Sequence, residues 1–191
     1  MTREASRVLH RSGATPPMAV GGEGIRLHLA DGRQIIDASG GAAVACLGHG
    51  NRRIAEAVGR QAAKMAYAHT GLFISQPAED LADIILDGSP GGLSHVYFCS
   101  SGSEGTEAAL KIARQYFVEI GQPQRTRYIA RRQGYHGNTL GALAAGGNMM
   151  RRALYEPELS GAFSHVSPCF PYRFKQDDES EAQYLDRLVR E

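Results

Sequence analysis

A short turn rich in hydroxyl side chains leads directly into an amphipathic helix. Residues 101–105 read Ser-Gly-Ser-Glu-Gly and follow an apolar segment that ends at Cys99. Free backbone N–H groups at a helix start, the positive end of the helix dipole and nearby hydroxyls together bind an anion without any cationic side chain. The sequence therefore predicts that a phosphorylated small molecule binds here. An ordinary N-cap cluster would explain the same hydroxyls, so that alternative stays open at this point.

The helix after this turn is predicted from its periodicity. Apolar side chains repeat at three- and four-residue steps, and charged residues such as Glu107 and Lys111 occupy the opposite face. Ser101 or Ser103 can cap its start, and Gly121 stands where a left-handed residue would end it. The apolar positions are Ala109, Ile112, Ala113, Tyr116, Phe117 and Ile120.

The chain as a whole has an ordinary composition. It contains 191 residues, 42% of them hydrophobic, with a formal net charge of +1. This balance predicts neither nucleic acid nor a membrane as partner, and no apolar run approaches the roughly 20 residues of a membrane span or forms a signal core. We therefore expect a cytoplasmic protein. Three widely spaced cysteines and scattered histidines predict no disulfide framework and no metal site.

The first part of the chain predicts a hairpin followed by two helices. Segments 25–29 and 34–37 favour strands and flank an Asp-Gly pair at residue 31, a common hairpin turn. Helices are expected after Asn51, a favoured N-cap residue, and from the Ser-Gln-Pro of residues 75–77. The apolar stripes expected to be buried on these helices comprise Ile54, Ala55, Val58, Ala62, Met65, Leu81, Ile84 and Ile85.

Strands and helices alternate after residue 90, which predicts a mostly parallel sheet. About three strands are expected, fewer than such sheets usually have, so the chain looks like part of a larger domain. The expected strands are 94–99, 127–130 and 163–166, and the further expected helices are 139–145 and one that starts near residue 178.

A second candidate element follows the strand predicted at 127–130. Residues 133–139 read Gln-Gly-Tyr-His-Gly-Asn-Thr and come at the carboxyl edge, where α/β sheets bind ligands. An aromatic ring beside a phosphate site predicts that Tyr135 stacks on a ring of the bound molecule. Taken alone, Tyr135 would more often be a packed loop tyrosine, and His136 a hydrogen-bonded loop histidine. These residues follow the next predicted strand after the turn at 101–105, which we name the anion turn, and this position favours the binding role.

Together these motifs resemble those of the class III aminotransferases, pyridoxal-phosphate enzymes of fold type I. That family carries a Ser-Gly-Ser-Glu-Ala phosphate turn and a later aromatic-His-Gly, which here read Ser-Gly-Ser-Glu-Gly at 101–105 and Tyr-His-Gly at 135–137. The likeness covers essentially the entire chain. Further segments that look like the family are residues 31–33, 36–37, 40–41, 47–50 and 108–114.

This resemblance implies the fold and its parts. The expected fold is α/β, the N-terminal part of the fold type I pyridoxal-phosphate transferase fold, truncated, with a mostly parallel sheet and flanking helices. Residues 1–72 would form an N-terminal segment, a hairpin plus helix belonging to the small domain and the domain linker. Residues 73–191 would form the N-terminal half of the large cofactor-binding domain.

The resemblance also implies a cofactor, pyridoxal 5′-phosphate, and the residues that bind it. A doubly charged phosphate gains from the helix start at Gly102 and Ser103, and stacking by Tyr135 would hold the cofactor ring so that the bond to be broken aligns with its π system. The implied cofactor-binding residues are Ser101, Gly102, Ser103, Tyr135, His136 and Gly137. Residues that match segments near the substrate or the dimer interface are His49, Thr70 and Phe73.

An aminotransferase further needs a Schiff-base lysine and a carboxylate that keeps the pyridine nitrogen protonated. In the family both lie well downstream, and Lys64, Lys111 and Lys175 lie outside the expected context. The resemblance thus implies a homodimeric enzyme that transfers an amino group between a small-molecule amine or ω-amino acid and a keto acid, with this chain an incomplete and inactive portion. The alternatives are a non-catalytic remnant or heterodimer subunit that binds pyridoxal phosphate or phosphate, and an aminomutase of the same fold.

Overall fold

The computed structural model describes residues 6–10 and 13–191 and shows two compact units, Met1–Ile84 and Ile85–Glu191. Each unit has its own small sheet, antiparallel in the first and parallel in the second. The expected division of a family domain at residues 72 and 73 stays a prediction.

The first unit contains a three-stranded antiparallel sheet. Its strands are β1 (Ala19–Glu23), β2 (Arg26–Leu29) and β3 (Gln34–Ile36), in the order β1-β2-β3. The predicted hairpin is confirmed, since β2 and β3 pair in antiparallel register. At its turn, the Asp31 carboxylate accepts from the Arg33 amide at 3.1 Å. Strand β1 has no counterpart in the prediction because its central Gly-Gly pair weakens the strand signal.

Three helices follow this sheet: α1 (Gly40–Ala43), α2 (Arg52–Lys64) and α3 (Gln76–Asp87). The predicted cap of α2 is confirmed, because the Asn51 side chain accepts from the Ile54 amide at 3.3 Å. The predicted burial of the apolar stripes on α2 and α3 is wrong. All eight stripe residues are exposed, and no residue of either helix is buried.

The second unit alternates helices with two parallel strands. Strands β4 (Tyr128–Arg131) and β5 (Phe163–Val166) pair in parallel register, which confirms both as predicted. A short 3-10 turn, Glu156–Glu158, precedes β5. The helices are α4 (Gly102–Glu119), α5 (Leu140–Ala145), α6 (Met149–Arg152), α7 (Pro171–Phe174) and α8 (Glu181–Arg190).

The parallel sheet is smaller than predicted. Within residues 6–10 and 13–191 it has two strands rather than about three, because segment 94–99 is not a strand. Residues that favour strands form one only when a neighbouring strand accepts their backbone hydrogen bonds, and no described residue pairs with this segment. The expected strand at 94–99 is therefore wrong for the structure as described.

The core of the second unit surrounds α5. Ala142, Ala144 and Ala145 of this helix are buried, and so is Arg152, whose exposed fraction is 7%. The Arg152 guanidinium donates to the carbonyls of Ala144 and Gly146 at 2.7 and 2.8 Å and to that of Leu143 at 3.1 Å. It thereby caps the last turn of α5, whose carbonyls lack partners within the helix.

Candidate functional site

The first turn of α4 presents backbone donors to its surroundings. Ser101 is extended, and its hydroxyl accepts from the Glu104 amide at 3.2 Å, so it is the N-cap. The Glu104 carboxylate reaches back and accepts from the Ser100 amide at 2.9 Å. Among the described residues, no group accepts from the amides of Gly102 and Ser103. These two donors point from the positive end of an 18-residue helix, which suits an anion.

Space is available beside these donors. A Cβ atom added at Gly102 would meet no atom within 4 Å, so the backbone here is open to a ligand. One hydroxyl caps the helix and two amides stay unused, as first-turn amides do in any α-helix, so the anion site stays a prediction that this turn can accommodate. A phosphate group fits this arrangement.

The loop after β4 contacts the same end of α4. The Ser103 hydroxyl accepts from the Asn138 amide at 2.9 Å, and the Thr106 hydroxyl donates to the His136 carbonyl at 2.8 Å. The structure thus brings the two predicted segments, 101–105 and 135–137, into direct contact. His136 takes part through its backbone carbonyl, while its side chain is exposed.

Gly137 allows this close approach. Its φ of +133° lies in a region that other residues rarely adopt, and an added Cβ would lie 2.5 Å from the Ser103 hydroxyl oxygen. Any larger residue at position 137 would push the loop away from α4. The family-type glycine of the aromatic-His-Gly motif therefore has a packing role in this structure.

Tyr135 presents an accessible ring next to this contact. Its exposed fraction is 64%, and the guanidinium of Arg151 lies over the ring at 4.9 Å from the centroid. A cation over an aromatic face is attracted by the ring quadrupole. The ring is therefore held from one direction while much of its surface stays open to a stacking partner.

The three residues predicted near a substrate or a dimer interface belong to the first unit. The His49 imidazole Nε2 lies 3.1 Å from Oδ2 of Asp37, and its backbone forms a bridge with Gly24. Thr70 and Phe73 lie in the turn region after α2, both exposed. Within the part of the chain that the structure describes, no hydrogen bond joins either of them to His49, so their roles stay predictions.

Asp37 is a charged group that the sequence reasoning did not single out. Burial raises the pKa of its carboxyl, but hydrogen bonds from His49, the Gly41 amide and Ser39 outweigh this and hold the pKa below its usual value. The pair of Asp37 and His49 therefore has an ionised carboxylate at neutral pH. Such a carboxylate fixes the orientation of an imidazole ring.

Sequence reasoning also missed two partners of the loop on α4. Glu107, assigned by periodicity to the solvent face, is half-buried and accepts from the Ala142 amide at 3.3 Å. Thr106 carried no signal of its own. Their spacing from Ser103, three and four residues, places all three on one face of a helix, and this was the only sequence feature that could have identified them.

A helix start with free amides, joined to an aromatic loop at the end of a parallel strand, is typical of enzymes that hold a phosphorylated cofactor with a planar ring. Residues 9–190 match the family model described as aminotransferase class-III. This protein belongs to the class III aminotransferase family, which depends on pyridoxal phosphate.

Relatives and solved structures agree with this assignment. An uncharacterized aminotransferase of Schizosaccharomyces pombe is 47% identical over 176 residues, which cover 92% of this chain and 38% of that protein. The omega transaminase from Pseudomonas jessenii, solved in complex with PMP, superposes with a TM-score of 0.86 at 30% identity, over 92% of this chain and 39% of that one.

An (S)-enantioselective omega-transaminase from Thermomicrobium roseum superposes with a TM-score of 0.83 at 36% identity, and 92% of this chain covers 39% of that enzyme. The expected fold class, α/β of fold type I, is confirmed. The chain spans about two fifths of the length of these relatives.

No helix within residues 6–10 and 13–191 is long and apolar enough to cross a membrane. The same residues contain no cluster of three or more histidine, cysteine or acidic side chains arranged to hold a metal ion.

Proposed function

We propose that this chain supplies the phosphate- and ring-holding part of the pyridoxal-phosphate site of a class III aminotransferase. The enzyme would transfer an amino group between an amine or ω-amino acid and a keto acid, as a cytoplasmic homodimer. One observation carries the proposal: the two unused amides lie at the start of α4, and the same helix end binds the loop of residues 132–139, which we name the Tyr135 loop.

Each residue has a distinct role in this proposal. The amides of Gly102 and Ser103 would donate to phosphate oxygens, strengthened by the dipole of α4. Ser101 keeps that helix start in place by capping the Glu104 amide. The Tyr135 ring would lie against the pyridine ring and exclude water from one of its faces. When bound, pyridoxal phosphate supplies an electron-withdrawing ring for the transfer of the amino group.

The lysines of this chain do not fit the Schiff-base role. Lys175 donates to the Glu179 carbonyl at 2.8 Å, and Lys64 and Lys111 are exposed on helices. A reactive lysine has to reach the cofactor and is activated by its surroundings. We therefore propose that this chain binds the cofactor but does not transaminate by itself.

Binding of a phosphorylated pyridine tests this proposal directly. Pyridoxine 5′-phosphate is the suitable probe, because it lacks the aldehyde that would react with surface lysines. We expect titration calorimetry to show binding of pyridoxine 5′-phosphate and weaker binding of pyridoxine, which lacks the phosphate. Equal heats for the two compounds would remove the phosphate site from the proposal.

Gly102 offers a sharp variant. Gly102→Pro removes the amide donor at the first helical position, where proline is favoured, and the extended Ser101 suits a following proline. Losing one hydrogen bond to a charged group predicts affinity at least about tenfold lower. Gly102→Ala is the matched control, since it keeps the donor and its Cβ has free space. The proposal fails if both variants bind like the parent chain.

A further inference from the structure

One face of α4 holds the Tyr135 loop and the first turn of α5 through three side chains, Ser103, Thr106 and Glu107, which we name the α4 latch. Across this contact they bond to backbone groups that lie 30 to 35 residues further along the chain: the Asn138 amide, the His136 carbonyl and the Ala142 amide. The Thr106 hydroxyl also lies 3.1 Å from the Gly102 carbonyl within α4, and the Ala142 amide also donates to the Thr139 hydroxyl at 3.4 Å. The latch therefore sets the path of the loop backbone whatever side chains the loop carries.

Two glycines, Gly137 in the loop and Gly141 in α5, show how closely the latch is fitted. A Cβ at Gly137 would lie 2.5 Å from the Ser103 hydroxyl oxygen, and one at Gly141 would lie 2.6 Å from both Glu107 carboxylate oxygens. Real Cβ atoms do not approach other atoms so closely, so a side chain at position 137 would displace the loop and one at position 141 would displace the Glu107 carboxylate. Glycine at these two positions and polar side chains on α4 are parts of one contact.

The latch connects two parts of the proposed site. The amides that would bind a phosphate belong to residues 102 and 103, at the start of the same helix. Tyr135 precedes His136, whose carbonyl Thr106 holds, by one residue. Because a helix is rigid over one turn, fixing the loop on α4 also fixes the Tyr135 backbone relative to those amides.

We propose that Thr106 and Glu107 are positioning residues, which set the distance between the phosphate-binding amides and the Tyr135 ring. They act through the loop backbone and touch neither ligand group themselves. The latch then favours a phosphate that carries a planar ring over a bare phosphate. This inference rests on the proposed cofactor-binding function and adds two residues to it.

A comparison of two probes separates positioning from simple stability. Thr106→Val removes the hydroxyl with little change of shape, and Glu107→Met removes the acceptor oxygens with little change of length. We expect the double variant to bind pyridoxine 5′-phosphate about tenfold more weakly, as the loss of two hydrogen bonds predicts. Its affinity for inorganic phosphate should stay within about twofold, since the α4 amides are unchanged.

Conservative variants and a distant change serve as controls. Thr106→Ser keeps the hydroxyl and Glu107→Gln keeps an acceptor oxygen, so both should restore discrimination between the two probes. Glu119→Met changes the same helix at its other end, where Glu119 bonds to the exposed Gln115, and should have no effect. Equal weakening of both probes in the double variant would indicate a structural role alone and overturn the inference.

Coupling to Tyr135 supplies an independent readout. Tyr135→Ala should cause the same selective loss, and adding the double latch variant to it should cause no further loss, since residues that act as a unit are not additive. Losses that multiply in full would contradict the inference.

If the parent chain binds neither probe, hydrogen exchange of backbone amides provides a second test of the positioning role. Failure to bind either probe would count against the proposed cofactor binding. The latch would then be judged from exchange at the Asn138 and Ala142 amides. Exchange about tenfold faster in the double variant would support loop positioning by Thr106 and Glu107, as the free energy of two hydrogen bonds predicts. Unchanged exchange at both amides would overturn it.

Discussion

Helices α2 and α5 differ in what holds them in place. Helix α2 has 13 residues, an Asn51 cap and an apolar stripe, yet none of its residues is buried. Helix α5 has only 6 residues, and three of its alanines are buried. A six-residue helix is too short to be stable alone in water. Contacts from other elements must therefore stabilise α5.

Those contacts lie at both ends of α5. At its start, the Ala142 amide donates to Glu107 of α4 at 3.3 Å, in addition to its bond with the helix's own N-cap, Thr139, at 3.4 Å. At its end, Arg152 donates to three carbonyls and pairs with Glu156 at 3.1 Å. Periodicity and caps therefore locate a helix, whereas its burial depends on which other elements pack against it.

The largest effect is expected for Arg152. Arg152→Ala would leave three carbonyls at the end of α5 without their shared donor. We expect the free energy of unfolding to fall by about 3 kcal/mol, since each unsatisfied buried acceptor is costly. Urea denaturation followed by circular dichroism measures this, with Arg152→Lys as an intermediate case. A stability equal to that of the parent chain would show that α5 does not depend on this cap.

A smaller effect is expected where backbone segments touch. A Cβ at Gly147 would collide with the backbone of Arg131 and Arg132 at the end of β4. Gly147→Ala should lower the free energy of unfolding by about 2 kcal/mol through overpacking. Gly161→Ala is the matched control, because its Cβ would meet nothing within 4 Å. Equal stability of the two variants would contradict the close contact.

Substitution of the N-cap residue should lower stability by a similar amount in α2 and in α4. Asn51→Ala removes the cap of the exposed α2, and Ser101→Ala removes that of α4, each deleting one hydrogen bond to a first-turn amide. We expect each to lower stability by about 1 kcal/mol, because capping is local. Helix content and urea midpoints measure the loss. A cap that matters only at Ser101 would mean that α2 is held by other contacts.

The smallest effect is expected on the stripe of α2. Val58 is exposed, so Val58→Ser removes no buried contact. The free energy of unfolding should change by no more than about 0.5 kcal/mol. A loss of stability comparable to that of Arg152→Ala, measured in the same denaturant titration, would show that the stripe is buried in solution. It would contradict the difference between the exposed α2 and the buried α5.

Much of the candidate site could be predicted from local sequence. The turn at 101–105 can be identified from sequence because a cap residue, a glycine and the start of a helical periodicity lie within a few residues of one another. The Tyr135 loop can be predicted to lie near a ligand because it directly follows a predicted strand. Thr106 and Glu107 could not be assigned, because their partners are 30 and 35 residues away and are backbone groups without a sequence signature.

The predictions of the fold that were wrong have the same cause, a dependence on distant partners. Segment 94–99 has strand-forming residues, but a strand needs a hydrogen-bonded neighbour that local sequence does not reveal. The short helices α6 and α7 have four residues each, too few to show a period. Local sequence gives no signal that Arg152 is buried, since arginine is mostly exposed in proteins. Arg152 pairs with a nearby glutamate, but it is buried by its role as a cap.

Local sequence specifies where the main helices begin, where the first hairpin turns and which residues are candidates to hold a phosphate. These features depend on hydrogen bonds and dihedral preferences within a few residues. The burial of helix faces and the side chains that hold the Tyr135 loop follow instead from tertiary contacts. Burial and long-range hydrogen bonds form between segments far apart in the chain, and their energies exist only once those segments meet.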